Sequence, residues 1–69
     1  MKVSARNNLK GTIKQITVGM VNAEVVIEVA PGVDIVSTIT KASAADMALV
    51  EGKEVYAMVK ASNIMLAVD

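Results

Sequence analysis

Apolar and polar positions alternate most clearly over residues 20–29, where Ala23, Val25, Ile27 and Val29 share one face and Asn22, Glu24, Val26 and Glu28 the other. A period of two marks a half-buried strand. Before it, residues 9–18 are rich in Thr, Ile and Val, which predicts another strand, with Gly11 as a bend or bulge and Gly19 as the turn. After it, Pro31-Gly32 punctuates the chain, and Val33, Ile35, Ser37 and Ile39 oppose Asp34, Val36, Thr38 and Thr40 on a third strand. These last two strands read as a hairpin.

The pattern then changes. Ser43-Ala44-Ala45-Asp46 has the form of a helical capping box, followed by Met47, Ala48 and Leu49, so one or two helical turns are predicted, closed by Gly52. Two more strands follow, residues 53–60 and 64–68, separated by the polar Ala61-Ser62-Asn63. The order is βββαββ. A mainly all-β chain of five short strands, with one helix between the third and the fourth, has the order of a small Greek-key barrel of the OB-fold kind. Several strands carry apolar residues on both faces, as in Val25-Val26-Ile27, Ala57-Met58-Val59 and Ile64-Met65-Leu66-Ala67-Val68. One face can fill a barrel while the other meets a neighbouring subunit.

Size sharpens that expectation. The 69 residues have no linker, charge block or internal repeat, and read as one domain over residues 1–69. A chain this short buries only about 60% of its unfolded surface, and such domains are usually reinforced by disulfides, a metal or self-association. With no cysteine and no histidine, self-association is the device left, and 54% hydrophobic residues supply the surface for it. A homo-oligomer is expected.

Charge and chemistry narrow the function. Seven Lys/Arg balance seven Asp/Glu, and Tyr56 is the one aromatic residue. A nucleic-acid module needs a basic excess and stacking platforms. The start of the chain is too polar for a signal peptide and no run is long enough for a membrane span, so a cytoplasmic protein is expected. Without His or Cys there is no nucleophilic dyad or soft-metal site. Glu24 and Glu28, four residues apart on one strand face, stand about 13 Å apart by strand rise, too far for a glycosidase pair. No enzyme is expected.

Two short polar segments interrupt the apolar sequence, Ser4-Ala5-Arg6-Asn7 and Lys60-Ala61-Ser62-Asn63. Each combines a cation, a hydroxyl, an amide and a small residue whose peptide N–H can be approached closely. A tetrahedral oxyanion needs this inventory, with donors around each oxygen and cations to offset its charge. A site lined only by donors selects a fully deprotonated dianion, because the proton of hydrogen phosphate would meet another donor.

Ser4-Ala5-Arg6-Asn7-Asn8-Leu9-Lys10-Gly11 resembles the S-A-R-N-x-L-x-G opening of the Mop domain of molbindins and of molybdate transport and regulatory proteins. Gly19-Met20-Val21-Asn22-Ala23-Glu24-Val25 is similar to the family's second segment, Glu51-Gly52-Lys53-Glu54-Val55 to its E-G-x-x-V, and Val59-Lys60-Ala61-Ser62-Asn63-Ile64-Met65 to its closing V-K-A/S-S/T-x-V/I-M. The resemblance implies an OB-like five-stranded barrel and, for single-domain molbindins, a hexamer built as a trimer of dimers that stores molybdate or tungstate. It implies main oxyanion sites between subunits, formed by Ser4, Ala5 and Arg6 with Lys60, Ala61 and Ser62. A second class of site near the three-fold axes would use Gly19, Met20, Val21 and Asn22, largely through backbone groups.

Three other readings compete. Strand order alone would also suit an OB-type nucleic-acid module. Ala57-Met58-Val59-Lys60-Ala61 resembles the A-M-K-M of biotinyl carrier domains, but Val59 displaces the lysine from that motif. A purely structural oligomer would use the same apolar faces and leave the paired donor segments without a role.

Overall fold

A computed structural model describes all residues, 1–69. Its elements are β1 (Asn7–Val18), β2 (Asn22–Ala30), β3 (Val33–Thr40), α1 (Lys41–Asp46) and β4 (Glu54–Val59), followed by one turn of 3₁₀ helix over Ala61–Asn63. The strands form one antiparallel sheet in the order β3-β2-β1-β4. The long strand β1 makes this sheet curl. Its first half, through Thr12, pairs with β4 and its second half, from Thr12, with β2. The result is a half-barrel whose concave side holds the core of Ile13, Val25, Ile27 and Ala57.

The alternation along β2 stands, with Ala23, Val25 and Ile27 buried and Val29 half-buried. Gly11 is neither a bend nor a bulge, since it pairs in regular register with Val55, and the irregularity falls between Ile13 and Gln15. Gly11 answers a different demand: a Cβ there would lie 2.7 Å from the Glu28 carbonyl oxygen and from Ile27 Cγ2. Absence of a side chain lets β2 cross close over β1 where β1 changes partner.

The helix begins earlier than the capping box suggests. Thr40 is its N-cap, extended at φ −71 and ψ 151 where β3 ends, and its Oγ1 accepts from the Ser43 N–H at 3.0 Å. Thr40 already holds the extended geometry that a cap requires, so Ser43 falls inside the helix. The helix also closes before Gly52. Ala48 adopts a left-handed φ of 51, its N–H donates to the Ala45 carbonyl, and the Leu49 N–H donates to that of Ala44. That is the Schellman pattern, with alanine where glycine is usual.

One further expectation is corrected. Residues 64–68 form no strand, so the sheet has four strands and not five. The apolar pattern of a strand is present, but the segment pairs with neither edge strand of the sheet, β3 or β4, and Met65, Leu66 and Val68 are more than 90% exposed. The chain as a whole exposes 5507 Å², against about 4,100 Å² for a compact chain of its mass. Its radius of gyration of 12.8 Å likewise exceeds the roughly 11 Å of a compact fold of this length.

Candidate functional site

Ser4, Ala5 and Arg6 lie just before β1, and Lys60, Ala61 and Ser62 lie just after β4. Antiparallel pairing sets Asn7 opposite Val59, so two segments far apart in sequence emerge at one end of the sheet. The Asn7 side-chain amide also donates to the Val59 carbonyl at 3.3 Å. All six residues border a single depression of about 560 Å³, with Met58 as the remaining wall. Ala5 is half-buried and the other five are exposed.

The depression is lined by donors. The 3₁₀ turn is closed by the Asn63 N–H donating to the Lys60 carbonyl at 2.9 Å and the Ile64 N–H to that of Ala61 at 3.3 Å. No backbone hydrogen bond of the chain engages the peptide N–H groups of Ala5, Arg6, Ala61 or Ser62. No carboxylate borders the depression. The chain's two ion pairs lie elsewhere, Lys10 with Glu54 at 3.2 Å and Lys14 with Asp34 at 3.0 Å. The hydrogen bond to Glu54, and then its charge, raises the pKa of Lys10, and the hydrogen bond to Asp34, and then its charge, raises that of Lys14. Lys53 donates to the Met47 and Ala48 carbonyls at 2.7 and 3.3 Å and so closes the helix. Arg6 and Lys60 take part in no ion pair. Two uncompensated cations beside free N–H and O–H groups attract a small anion and offer nothing to a cation.

Gly19, Met20 and Val21 form the turn between β1 and β2, and Asn22 opens β2, at the opposite end of β1 from the depression. The Gly19 N–H donates to the Asn22 carbonyl at 2.8 Å, and the Lys41 N–H to the Val21 carbonyl at 2.7 Å. Met20 and Val21 project with 95% and 71% of their surface exposed. Within one chain the two groups of residues therefore make two separate places. No group of three or more His, Cys, Asp or Glu gathers anywhere, and no helix is long and apolar enough to cross a membrane.

The family model of the TOBE domain matches residues 3–66. The chain is 44% identical over 69 residues to a probable molybdenum-pterin-binding protein of Haemophilus influenzae, with both chains covered in full. The chain belongs to this molybdenum-pterin-binding, TOBE-domain family. It is also 45% identical over 67 residues to the molybdenum-pterin-binding protein MopA of Rhodobacter capsulatus, but spans only 25% of that protein's length. Among solved structures it superposes with a TM-score of 0.94, at 43% identity, on ModG, described as a cytoplasmic molybdate-binding protein in a form with molybdate bound. All of this chain and 49% of that one are covered.

The OB-like architecture of this TOBE domain thus stands, with one short helix between the third and fourth strands. One residue of the depression, Met58, and one that borders on its arm, Asn7, have roles that sequence reasoning misses. Asn7 reads there as a member of the polar arm, although an amide at the first position of a strand is the signal for a tie to the facing strand. Met58 reads as one face of β4, and only the strand's place at the sheet edge brings it to the depression.

Proposed function

We propose that this chain binds molybdate, or the near-identical tungstate, as cargo and performs no catalysis. The observation that carries the reading is the convergence of Ser4, Ala5, Arg6, Lys60, Ala61 and Ser62 on one depression with two unpaired cations and no carboxylate. Arg6 presents a planar fork of donors and Lys60 a mobile point charge. Ser4 and Ser62 donate hydroxyls, and the small Ala5 and Ala61 let peptide N–H groups reach the oxygens. Kinship with proteins described as molybdate-binding supports the choice of ligand.

Hydrogen phosphate carries a proton for which this lining holds no carboxylate acceptor, and a serine hydroxyl that accepted it would be lost as a donor, whereas molybdate at neutral pH brings acceptors only. Gly19, Met20, Val21 and Asn22 serve as a second class of site, largely through backbone groups of their turn. The protein acts as a homo-oligomer, a hexamer arranged as a trimer of dimers, in the cytoplasm, where it stores the oxyanion. Its exposed surface, about 1,400 Å² above that of a compact chain, supports the assembly. Main sites between subunits would gain closure from a neighbour, and the unpaired charges of Arg6 and Lys60 would then couple ligand to assembly.

Isothermal titration with molybdate, with sulfate and phosphate as controls, tests the reading, alongside light scattering for mass. Saturable molybdate binding that phosphate does not imitate is expected. Heat signals of equal size for molybdate and phosphate would exclude a lining made only of donors.

A further inference from the structure

The chain has five methionines in 69 residues and no cysteine, histidine or tryptophan. Its thioethers are therefore the side chains that a mild peroxide oxidises. Met1, Met20 and Met65 are mostly exposed, and Met47 and Met58 are about half exposed. Of the five, Met58 borders the oxyanion depression.

The course of β4 turns Met58 toward that place. Val55, Ala57 and Val59 face inward along the strand, which leaves Glu54, Tyr56 and Met58 on the outer face. Lys60 is still extended, at φ −63 and ψ 130, so the alternation continues and Lys60 shares the face of Met58. Across the ladder Met58 pairs with Asn8, two residues after Arg6. Met58 thus stands one step of the alternation inside the two cations.

The chemistry of this wall can be changed without changing the sequence. Reduced, Met58 is a neutral side chain and a weak acceptor, which leaves Arg6, Lys60, Ser4 and Ser62 free for an anion. Oxidised, it carries a polar sulfoxide oxygen, a strong acceptor in a lining that holds no carboxylate. In the step the sulfur lone pair attacks one oxygen of hydrogen peroxide. The S–O bond forms as the O–O bond breaks, and the departing hydroxide takes the proton of the transferred oxygen and leaves as water. Sulfur gives up two electrons and the peroxide is reduced.

We propose that Met58 is a modification site that governs the depression: oxidation of its thioether by hydrogen peroxide sets an acceptor among the donors and weakens molybdate binding, and reduction of the sulfoxide restores it. This rests on the oxyanion reading of the same depression. Two effects act in one direction. The sulfoxide oxygen repels the oxygens of the anion, and it accepts hydrogen bonds from the donors the anion needs. The fold withstands the change, because Met58 lies on the outer face of an edge strand and no buried residue is a methionine.

The test is titration calorimetry with molybdate on wild type and Met58→Leu, each before and after treatment with hydrogen peroxide. Peptide mass spectrometry locates the added oxygen and circular dichroism checks the sheet. Wild type oxidised at Met58 is expected to bind at least about tenfold more weakly, the size of one charge-assisted hydrogen bond lost. It should recover with the two types of methionine sulfoxide reductase, one for each epimer. Met58→Leu should bind alike before and after treatment, although Met1, Met20, Met47 and Met65 remain to take up oxygen. Wild type that carries the oxygen on Met58 and binds as before would overturn the proposal. So would an equal loss in Met58→Leu, a Met58 that resists peroxide while the other methionines react, or a loss of binding in step with the sheet signal. All of these leave the oxyanion reading standing. Untreated wild type that binds no molybdate would overturn that reading and the proposal with it.

Discussion

Asn7 and Val59 are joined twice, as register partners at the end of the β1–β4 ladder and by the Asn7 amide donating to the Val59 carbonyl at 3.3 Å. These two residues are the last fixed points before Arg6 on one side and Lys60 on the other. The bond therefore sets the spacing of the two cations. Asn7→Ala is expected to weaken molybdate binding by about three- to tenfold in titration calorimetry and to lower stability by about 1 kcal/mol, the usual worth of one such bond. Asn7→Asp should be worse, because its carboxylate cannot donate to Val59 and brings negative charge beside the anion.

Gly11 tests the crossing of β1 and β2. A Cβ at 2.7 Å from the Glu28 carbonyl oxygen meets backbone, which cannot rotate away as a side-chain tip can. Gly11→Ala should cost about 1–3 kcal/mol, the range for overpacking a filled interior, in urea or thermal unfolding. At Gly32, where nothing lies within 4 Å, the same substitution meets no clash, and its cost comes only from the left-handed φ of 75.

What could be read from the sequence, and what could not, follows from the range of the interactions. The faces of β2 and β3 were legible because a buried and a solvated side impose a period of two on neighbouring residues, as Val25 and Glu24 do. The helix was legible in kind and misplaced at both ends. Its start depends on where β3 releases Thr40, and its end on the left-handed turn at Ala48. Residues 64–68 carry the composition of a buried strand, but composition does not say whether a sheet edge takes them up, and neither β3 nor β4 pairs with them. The candidate site was legible as two donor segments, and the pairing of Asn7 with Val59, which joins them, is a long-range fact of the sheet.

Ala48 is an opportunity for stabilisation. At φ 51 an alanine Cβ crowds its own backbone, a penalty of roughly 1–2 kcal/mol that glycine does not suffer. Both hydrogen bonds of the Schellman closure involve backbone groups only and survive the change. Ala48→Gly should raise the melting temperature, with the gain reduced by the greater freedom of glycine in the unfolded chain. Differential scanning calorimetry with Ala45→Gly as control, expected to destabilise because Ala45 lies within the helix, reads the sign directly.

The exposed pairs Lys10–Glu54 and Lys14–Asp34 predict a pH dependence with a definite sign. Hydrogen bonds to the partner carboxylates raise both lysine pKa values above the ordinary 10.5. A raised folded-state value means the charged lysine is favoured by folding. The stability it contributes is whole below pH 10.5 and is lost as pH climbs through the folded-state values. The difference in melting temperature between wild type and the double variant Lys10→Met/Lys14→Met should therefore be small and flat from about pH 6 to about pH 9, and shrink above pH 10.5. A difference that widened over that upper range would contradict the assignment. High salt should shrink it at every pH, because both pairs face solvent.

Arg6 and Lys60 make the strongest test of the oxyanion site because their roles differ in geometry while their charge is the same. Neither has a carboxylate partner, so removing one leaves no acid stranded, and any loss belongs to the anion. A charge-assisted hydrogen bond is worth about 1.5–3 kcal/mol, so Arg6→Ala and Lys60→Ala should each weaken molybdate roughly 10- to 150-fold. Arg6→Lys keeps the charge but loses the planar fork, and should recover only part of the loss. Lys60→Arg must fit a larger fork against Met58 and should recover less than its charge suggests. Both cations act on one anion, so the double alanine variant should lose less than the sum of the two single losses. Strict additivity, measured by titration at fixed ionic strength, would place Arg6 and Lys60 on different anions and divide the depression into two sites.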